Sequence, residues 1–88
     1  MSAPTTPDRA PDQTVREISA RIWAVRLRSG LELAMAAKLL GYTPSHLEQL
    51  EDGRAAATRA ELTAIALLYG CSLAFLQRGI DIRARRAT

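Results

Sequence analysis

The stretch from Gly30 to Arg54, GLELAMAAKLLGYTPSHLEQLEDGR, constrains this chain more than any other. Ala36, Ala37 and Leu40 recur at helical spacing, and Leu47 and Leu50 do so a few residues later. Ala37 sits where the two helices would cross, because a small side chain there lets the backbones approach. Gly41 falls where the first helix must stop. A left-handed residue commonly makes such a stop, and glycine adopts that conformation without a Cβ clash. Tyr42 is placed to plug the space between the helices. Thr43-Pro44 reads as an N-cap followed by proline at the first helical position, where the missing N–H costs nothing. Gly53 ends the second helix. Two short helices held at a steep angle by a tight turn form a helix-turn-helix, whose second helix usually lies in the DNA major groove. An αα-hairpin in some other small bundle is the alternative reading.

The rest of the chain fits around this pair. Residues 1–13 hold every proline except Pro44, together with Thr, Asp and Ser, and are expected to be a disordered tail. A first helix is expected from near Thr14, where Thr14 and Glu17 have capping-box spacing, to Gly30. Val15, Ile18, Ile22 and Val25 form its buried stripe. A loop over Gly53 to Ala57 leads to a fourth helix with a second capping box, Thr58 and Glu61. Its core face is Leu62, Ile65, Ala66 and Tyr69, and Gly70 closes it. Ser72 caps a short fifth helix, with Leu73 and Leu76 inward and Gly79 at its end. Punctuation and periodicity agree on an all-α, five-helix domain over residues 14–79, followed by a basic C-terminal tail over 80–88. Ile80-Asp81-Ile82 is the one segment with a trace of strand pattern. Arg83, Arg85 and Arg86 make the tail either a solvated terminus or a phosphate-binding arm.

Composition excludes several classes. At 88 residues the chain is one domain, and about sixty residues can pack, near the lower size for an unstapled core. One cysteine excludes an internal disulfide, and Cys71 beside Gly70 is expected to be a small buried hydrophobe. One Cys and one His cannot build a zinc site, so no metal or cofactor is expected. No nucleophile, base and orienting group come together, which argues against an enzyme. There is no signal peptide and no apolar run long enough to span a membrane, so a cytoplasmic, nucleoid-associated location is expected. The net charge of +3 favours a polyanionic partner mildly. The basic residues are arginines apart from Lys38, and arginine can contact phosphate or guanine bidentately.

These motifs, taken together, carry a resemblance. Ile22-(x)2-Val25-Arg26, Gly30-Leu31, Ala37-(x)2-Leu40-Gly41-Tyr42, Ser45-His46-Leu47, Leu50-Glu51-Asp52-Gly53-Arg54 and Leu68-Tyr69-Gly70-Cys71-Ser72-Leu73 resemble the lambda-repressor-like, Xre/Cro-type helix-turn-helix family over about residues 15–79. That family has five helices and usually binds DNA as a dimer. The resemblance implies a structural ion pair between Arg26 and Glu51, fixing helix 1 against helix 3. It also implies base-contact roles for Pro44, Ser45, His46 and Gln49. Gln49 can bond bidentately to adenine, Ser45 can serve base or phosphate, and Pro44 can touch a thymine methyl. His46 either donates to guanine or phosphate or is simply an exposed residue at the helix start. Thr43 caps the helix and reaches a phosphate, and Arg54 matches a basic position aimed at the DNA backbone.

The chain departs from the family pattern at Leu33, where relatives commonly place glutamine, and at Glu32, which replaces a Ser or Thr cap. Glu48 and Asp52 put negative charge beside the expected DNA face. Modest affinity per monomer is therefore expected, with dependence on dimerisation and help from Arg28, Arg59 or the tails. Trp23 and Leu27 form an apolar i, i+4 pair beside the buried stripe of helix 1, and Met35 and Leu39 form another on helix 2. They are either extra core, scattered surface hydrophobes, or a patch for a partner protein or second copy. Phe75, Leu76 and the Ile80–Ile82 segment are a further candidate dimer contact.

The resulting expectation is a bacterial or phage transcriptional regulator, a repressor. As a homodimer it would bind double-stranded DNA at an inverted repeat, with helix 3 in the major groove. The alternative is a protein-interaction adaptor or antitoxin that keeps the fold with weak or no DNA binding.

Overall fold

The computed structural model describes residues 5–79. Five helices follow in order: α1 Thr5–Ser29, α2 Leu33–Leu40, α3 Pro44–Asp52, α4 Arg59–Tyr69 and α5 Leu73–Arg78. No strand occurs among the described residues.

Local chemistry sets most of these boundaries. The Thr43 hydroxyl accepts the His46 N–H at 3.1 Å, with Pro44 next in the chain. Thr58 and Glu61 close a full capping box: the Thr58 hydroxyl accepts the Glu61 N–H at 3.1 Å, and the Glu61 carboxylate accepts the Thr58 N–H at 2.9 Å. Ser72 caps α5 through the Phe75 N–H at 3.0 Å. Each such cap contributes about 1 kcal/mol by satisfying an N–H that the helix cannot. α2 lacks this device, since Glu32 has the extended cap backbone but makes no side-chain cap bond. At the other end of α2, Gly41 has φ 80°. Its N–H donates to the Lys38 carbonyl at 3.1 Å and the Tyr42 N–H to the Ala37 carbonyl at 2.8 Å, so the turn satisfies two otherwise orphaned carbonyls.

α1 packs across α3, α4 and α5, α2 packs on α3 and α4, and α4 packs on α5. Ile22, Leu47, Leu50, Ile65 and Leu76 are fully buried where these helices meet. Burying each of these side chains contributes roughly 1.5–3 kcal/mol. Ala36 and Ala37 are also completely buried, which lets α2 lie close to its neighbours. Leu33 packs partly against this core, as do Leu40, Tyr42 and Cys71. Cys71 is therefore half-buried, not a wholly buried hydrophobe.

α1 differs most from expectation. It begins at Thr5, ahead of the expected start near Thr14, so residues 5–13 of the expected disordered tail are helical. Thr14 and Glu17 consequently lie inside the helix, and their capping-box spacing marks no terminus. Pro7 falls in the first turn, where no intrahelical N–H bond is lost, whereas Pro11 removes one. Continuing a helix past the packed Ile18–Val25 segment needs no new nucleus, which lowers the cost of the added turns. Residues 1–4 and the basic tail, 80–88, lie outside the described residues, as does the Ile80–Ile82 segment.

Candidate nucleic-acid interface

The C-terminal end of α3 is tied to α1. Arg26 Nε donates to Glu51 Oε2 at 2.7 Å and its Nη2 donates to Oε1 at 3.0 Å, a two-pronged contact. The third donor, Nη1, bonds the Leu31 carbonyl at 3.0 Å, so one guanidinium joins α1, the α1–α2 turn and α3. The side chains are only 12% and 4% exposed. The hydrogen bonding of Arg26 to Glu51, opposed by burial and reinforced by the carboxylate charge, raises the Arg26 pKa above its ordinary value. Tyr69 of α4 lies in the same electrostatic neighbourhood. Burial, then the charge of Glu51, pushes its phenol up to about 12 against the opposing influence of Arg26. Just past α3, Gly53 (φ 80°) takes the left-handed conformation that ends the helix, beside α1. A Cβ there would meet Arg16 Cγ at 3.5 Å and Ser19 Oγ at 3.8 Å.

With Leu47 and Leu50 buried, the opposite face of α3 is turned outward. Thr43, Pro44, Ser45 and Glu48 are exposed and Gln49 is partly so. Gln49 Nε2 lies 3.5 Å from Ser45 Oγ, one turn away, a long contact that leaves both groups available to another partner. Arg54 follows Gly53 and is held at its backbone by the Gln49 carbonyl at 3.1 Å, while its guanidinium meets Asp52 at 2.8 Å on the open surface. α3 carries Glu48, Glu51 and Asp52 and no Lys or Arg. Arg26 balances Glu51 and Arg54 faces Asp52, whereas Glu48 stands exposed to solvent on this face.

His46 sits differently from its neighbours. Its Nε2 is 2.6 Å from Glu61 Oε2 on α4, and its ring meets Tyr42 edge-on with centroids 5.2 Å apart. Burial raises the Glu61 pKa, but the hydrogen bonds from Thr58 and His46 outweigh it and leave the carboxyl below its ordinary value. Burial and the charge of Glu61 together raise the Tyr42 phenol. Thus Thr43, Pro44, Ser45 and Gln49 share one outward face, Arg54 flanks it, and His46 is drawn toward α4.

Several contributors escape sequence reading. Glu61 reads as a cap alone, because nothing local signals a partner fifteen residues earlier. Arg21 reads as one more surface arginine, yet its Nη1 donates to the Leu76 carbonyl at 3.0 Å and anchors α5. A cation is favoured at such a helix C-terminus. On the outer face of α1, Trp23 and Leu27 are about half exposed, and so are Met35 and Leu39 on α2. Leu67 of α4, 79% exposed, joins this set of surface hydrophobes. No group of metal-ligating side chains is assembled among the described residues. No helix among them is long and apolar enough to cross a membrane.

A family model described as a helix-turn-helix domain matches residues 17–77. The chain belongs to that family, consistent with its resemblance to the lambda-repressor-like branch. The match spans all of α2 to α4 and most of α1 and α5, so the five-helix arrangement and the family agree. No curated protein and no solved structure matches the chain significantly.

Proposed function

We propose that this protein is a sequence-specific duplex DNA-binding transcriptional regulator that reads the major groove with α3. The observation that carries the reading is the outward array of Pro44, Ser45 and Gln49 on a helix capped by Thr43 and braced by Glu51 on Arg26. A rigid, capped helix start with small polar groups suits base edges, since specificity needs side chains held within hydrogen-bonding geometry. Gln49 reads adenine, Ser45 takes base or phosphate, Pro44 touches a thymine methyl and Thr43 reaches phosphate. Arg54 serves the backbone after exchanging Asp52 for phosphate. The protein works as a homodimer on an inverted repeat, with half-sites about 34–36 Å apart. It represses by occupying a promoter.

Selection of bound duplexes from a random pool, at low and near-physiological salt, tests this. An enriched inverted repeat is expected. Retention without a motif reduces the function to backbone binding, and no retention at either salt removes DNA from the account.

A second reading rests on a different observation. Ala20, Trp23, Ala24 and Leu27 are all exposed at helical spacing on α1, an apolar stripe suited to a protein partner. Together with the carboxylates of α3 it favours an adaptor or antitoxin with weak DNA binding. Such binding to a partner holds as salt rises, whereas DNA binding falls steeply.

A further inference from the structure

We propose that Glu61 is a positioning residue for the start of α3, and that His46 is held by it within the protein and does not donate to a guanine or a phosphate. The inference rests on the reading of α3 as the DNA-reading helix.

Both Glu61 oxygens are committed. Oε1 accepts the Thr58 N–H at 2.9 Å, which fixes the carboxylate to the first turn of α4. Oε2 lies 2.6 Å from His46 Nε2. The carboxylate is thus a rigid anchor and not a roaming surface charge; only 19% of the side chain is exposed. On its other side the imidazole is bounded by the Tyr42 ring, which follows the Gly41 turn. The bridge joins α3 to α4, which are not among the helix pairs that pack broadly.

The hydrogen-bond direction carries the second half. A carboxylate only accepts, so Nε2 is the donor. In a neutral imidazole that leaves Nδ1 as an acceptor. An acceptor cannot satisfy phosphate oxygens, nor guanine N7 and O6, which are acceptors themselves. For the neutral ring, the donor role toward guanine or phosphate that the sequence suggests for His46 is therefore already spent on Glu61. The Thr43 hydroxyl takes the His46 backbone N–H, so cap and carboxylate grip one residue from two directions. Pro44 and Ser45, the residues just before it, take their placement from that grip.

The experiment uses the full chain and the duplex that the wild type selects. Affinity, base preference at each position and salt slope are measured for His46→Ala, Glu61→Gln and the double variant. Glutamine at this position keeps the capping acceptor for Thr58, so Glu61→Gln retains the α4 start. Circular dichroism sets the unfolding midpoint of each variant, and affinities are taken well below it.

Each single variant is expected to lower affinity by about three- to tenfold, with the double variant no weaker than the worse single, as for groups acting through one contact. The order of base preference is expected to survive at every position, and the salt slope to stay unchanged. Loss of preference at one base pair in His46→Ala, kept in Glu61→Gln, overturns the proposal and makes His46 a base reader. A salt slope smaller by about one in His46→Ala overturns it too, since that marks a lost phosphate contact. Wild-type affinity in Glu61→Gln also overturns it. Failure of the wild type to bind any duplex defeats the DNA reading and this inference together, and is seen before any variant is made.

Discussion

Two arginine–carboxylate pairs flank the end of α3, and they are nearly identical in length. Arg26 meets Glu51 at 2.7 Å and Arg54 meets Asp52 at 2.8 Å. Their surroundings separate them. The first pair is 12% and 4% exposed, doubly bonded and tied to a third group; the second is 62% and 45% exposed and joined by one bond. Water competes for the second pair and scarcely for the first. The first therefore acts as a joint between helices, and the second as a loose contact that another anion can replace. Distance alone does not reveal which role an ion pair plays.

Removing the joint should have the largest effect. Glu51→Ala leaves Arg26 with a shielded charge and one remaining partner, and should cost about 3 kcal/mol. For a domain of this size that lowers Tm by about 12–24 °C, readable by thermal denaturation. An unchanged Tm would show that the buried pair is no stronger than the exposed one. Next comes Thr43→Ala, which removes the cap at the opposite end of the same helix. It should cost about 1 kcal/mol in chemical denaturation, and a loss equal to that of Glu51→Ala would mean the two ends of α3 are equally braced.

A third carboxylate extends the comparison to pH. The folded pKa of Glu61 lies below its ordinary value, so its contribution is complete above about pH 4.5, the unfolded value. It disappears as pH falls through the lower folded value. The stability gap between wild type and Glu61→Gln should narrow across that acidic window. A gap independent of pH would count against a charged Glu61 in the cap and bridge. The smallest stability effect belongs to the exposed pair. Asp52→Asn should change unfolding free energy by no more than about 0.5 kcal/mol. Its consequence should appear on DNA instead, as an affinity gain of about two- to fivefold from a released Arg54 and one fewer repelling charge. A substantial loss of stability would erase the distinction between the two pairs.

The sequence discloses the parts of this molecule that local chemistry decides. Thr43-Pro44, Thr58 with Glu61, Ser72 and the glycine at the α2–α3 turn act on backbone groups within a few residues, so their spelling is their structure. Apolar periodicity likewise finds Ile22, Leu47, Leu50, Ile65 and Leu76. The Arg26–Glu51 pair is legible only through the family resemblance, because twenty-five residues of chain intervene. His46–Glu61 and Arg21 on the Leu76 carbonyl were not legible, since each depends on how helices are angled in space. Thr14 with Glu17 is the instructive failure. The same spacing that caps α4 lies inside α1, because a helix packed elsewhere can extend through a capping signal. On the candidate interface, helical spacing identified which face of α3 points outward. It could not show that His46 turns toward α4.

Trp23 gives the molecule a built-in optical reporter. It is the chain's one tryptophan, and it stands about half exposed on the outer face of α1. Indole emission shifts to the red as surrounding water relaxes around the excited ring, and to the blue when that water is displaced. Unfolding and the docking of a partner over α1 therefore drive the emission in opposite directions from the native value. A single fluorescence titration distinguishes a chain being covered from a chain coming apart, with no label attached.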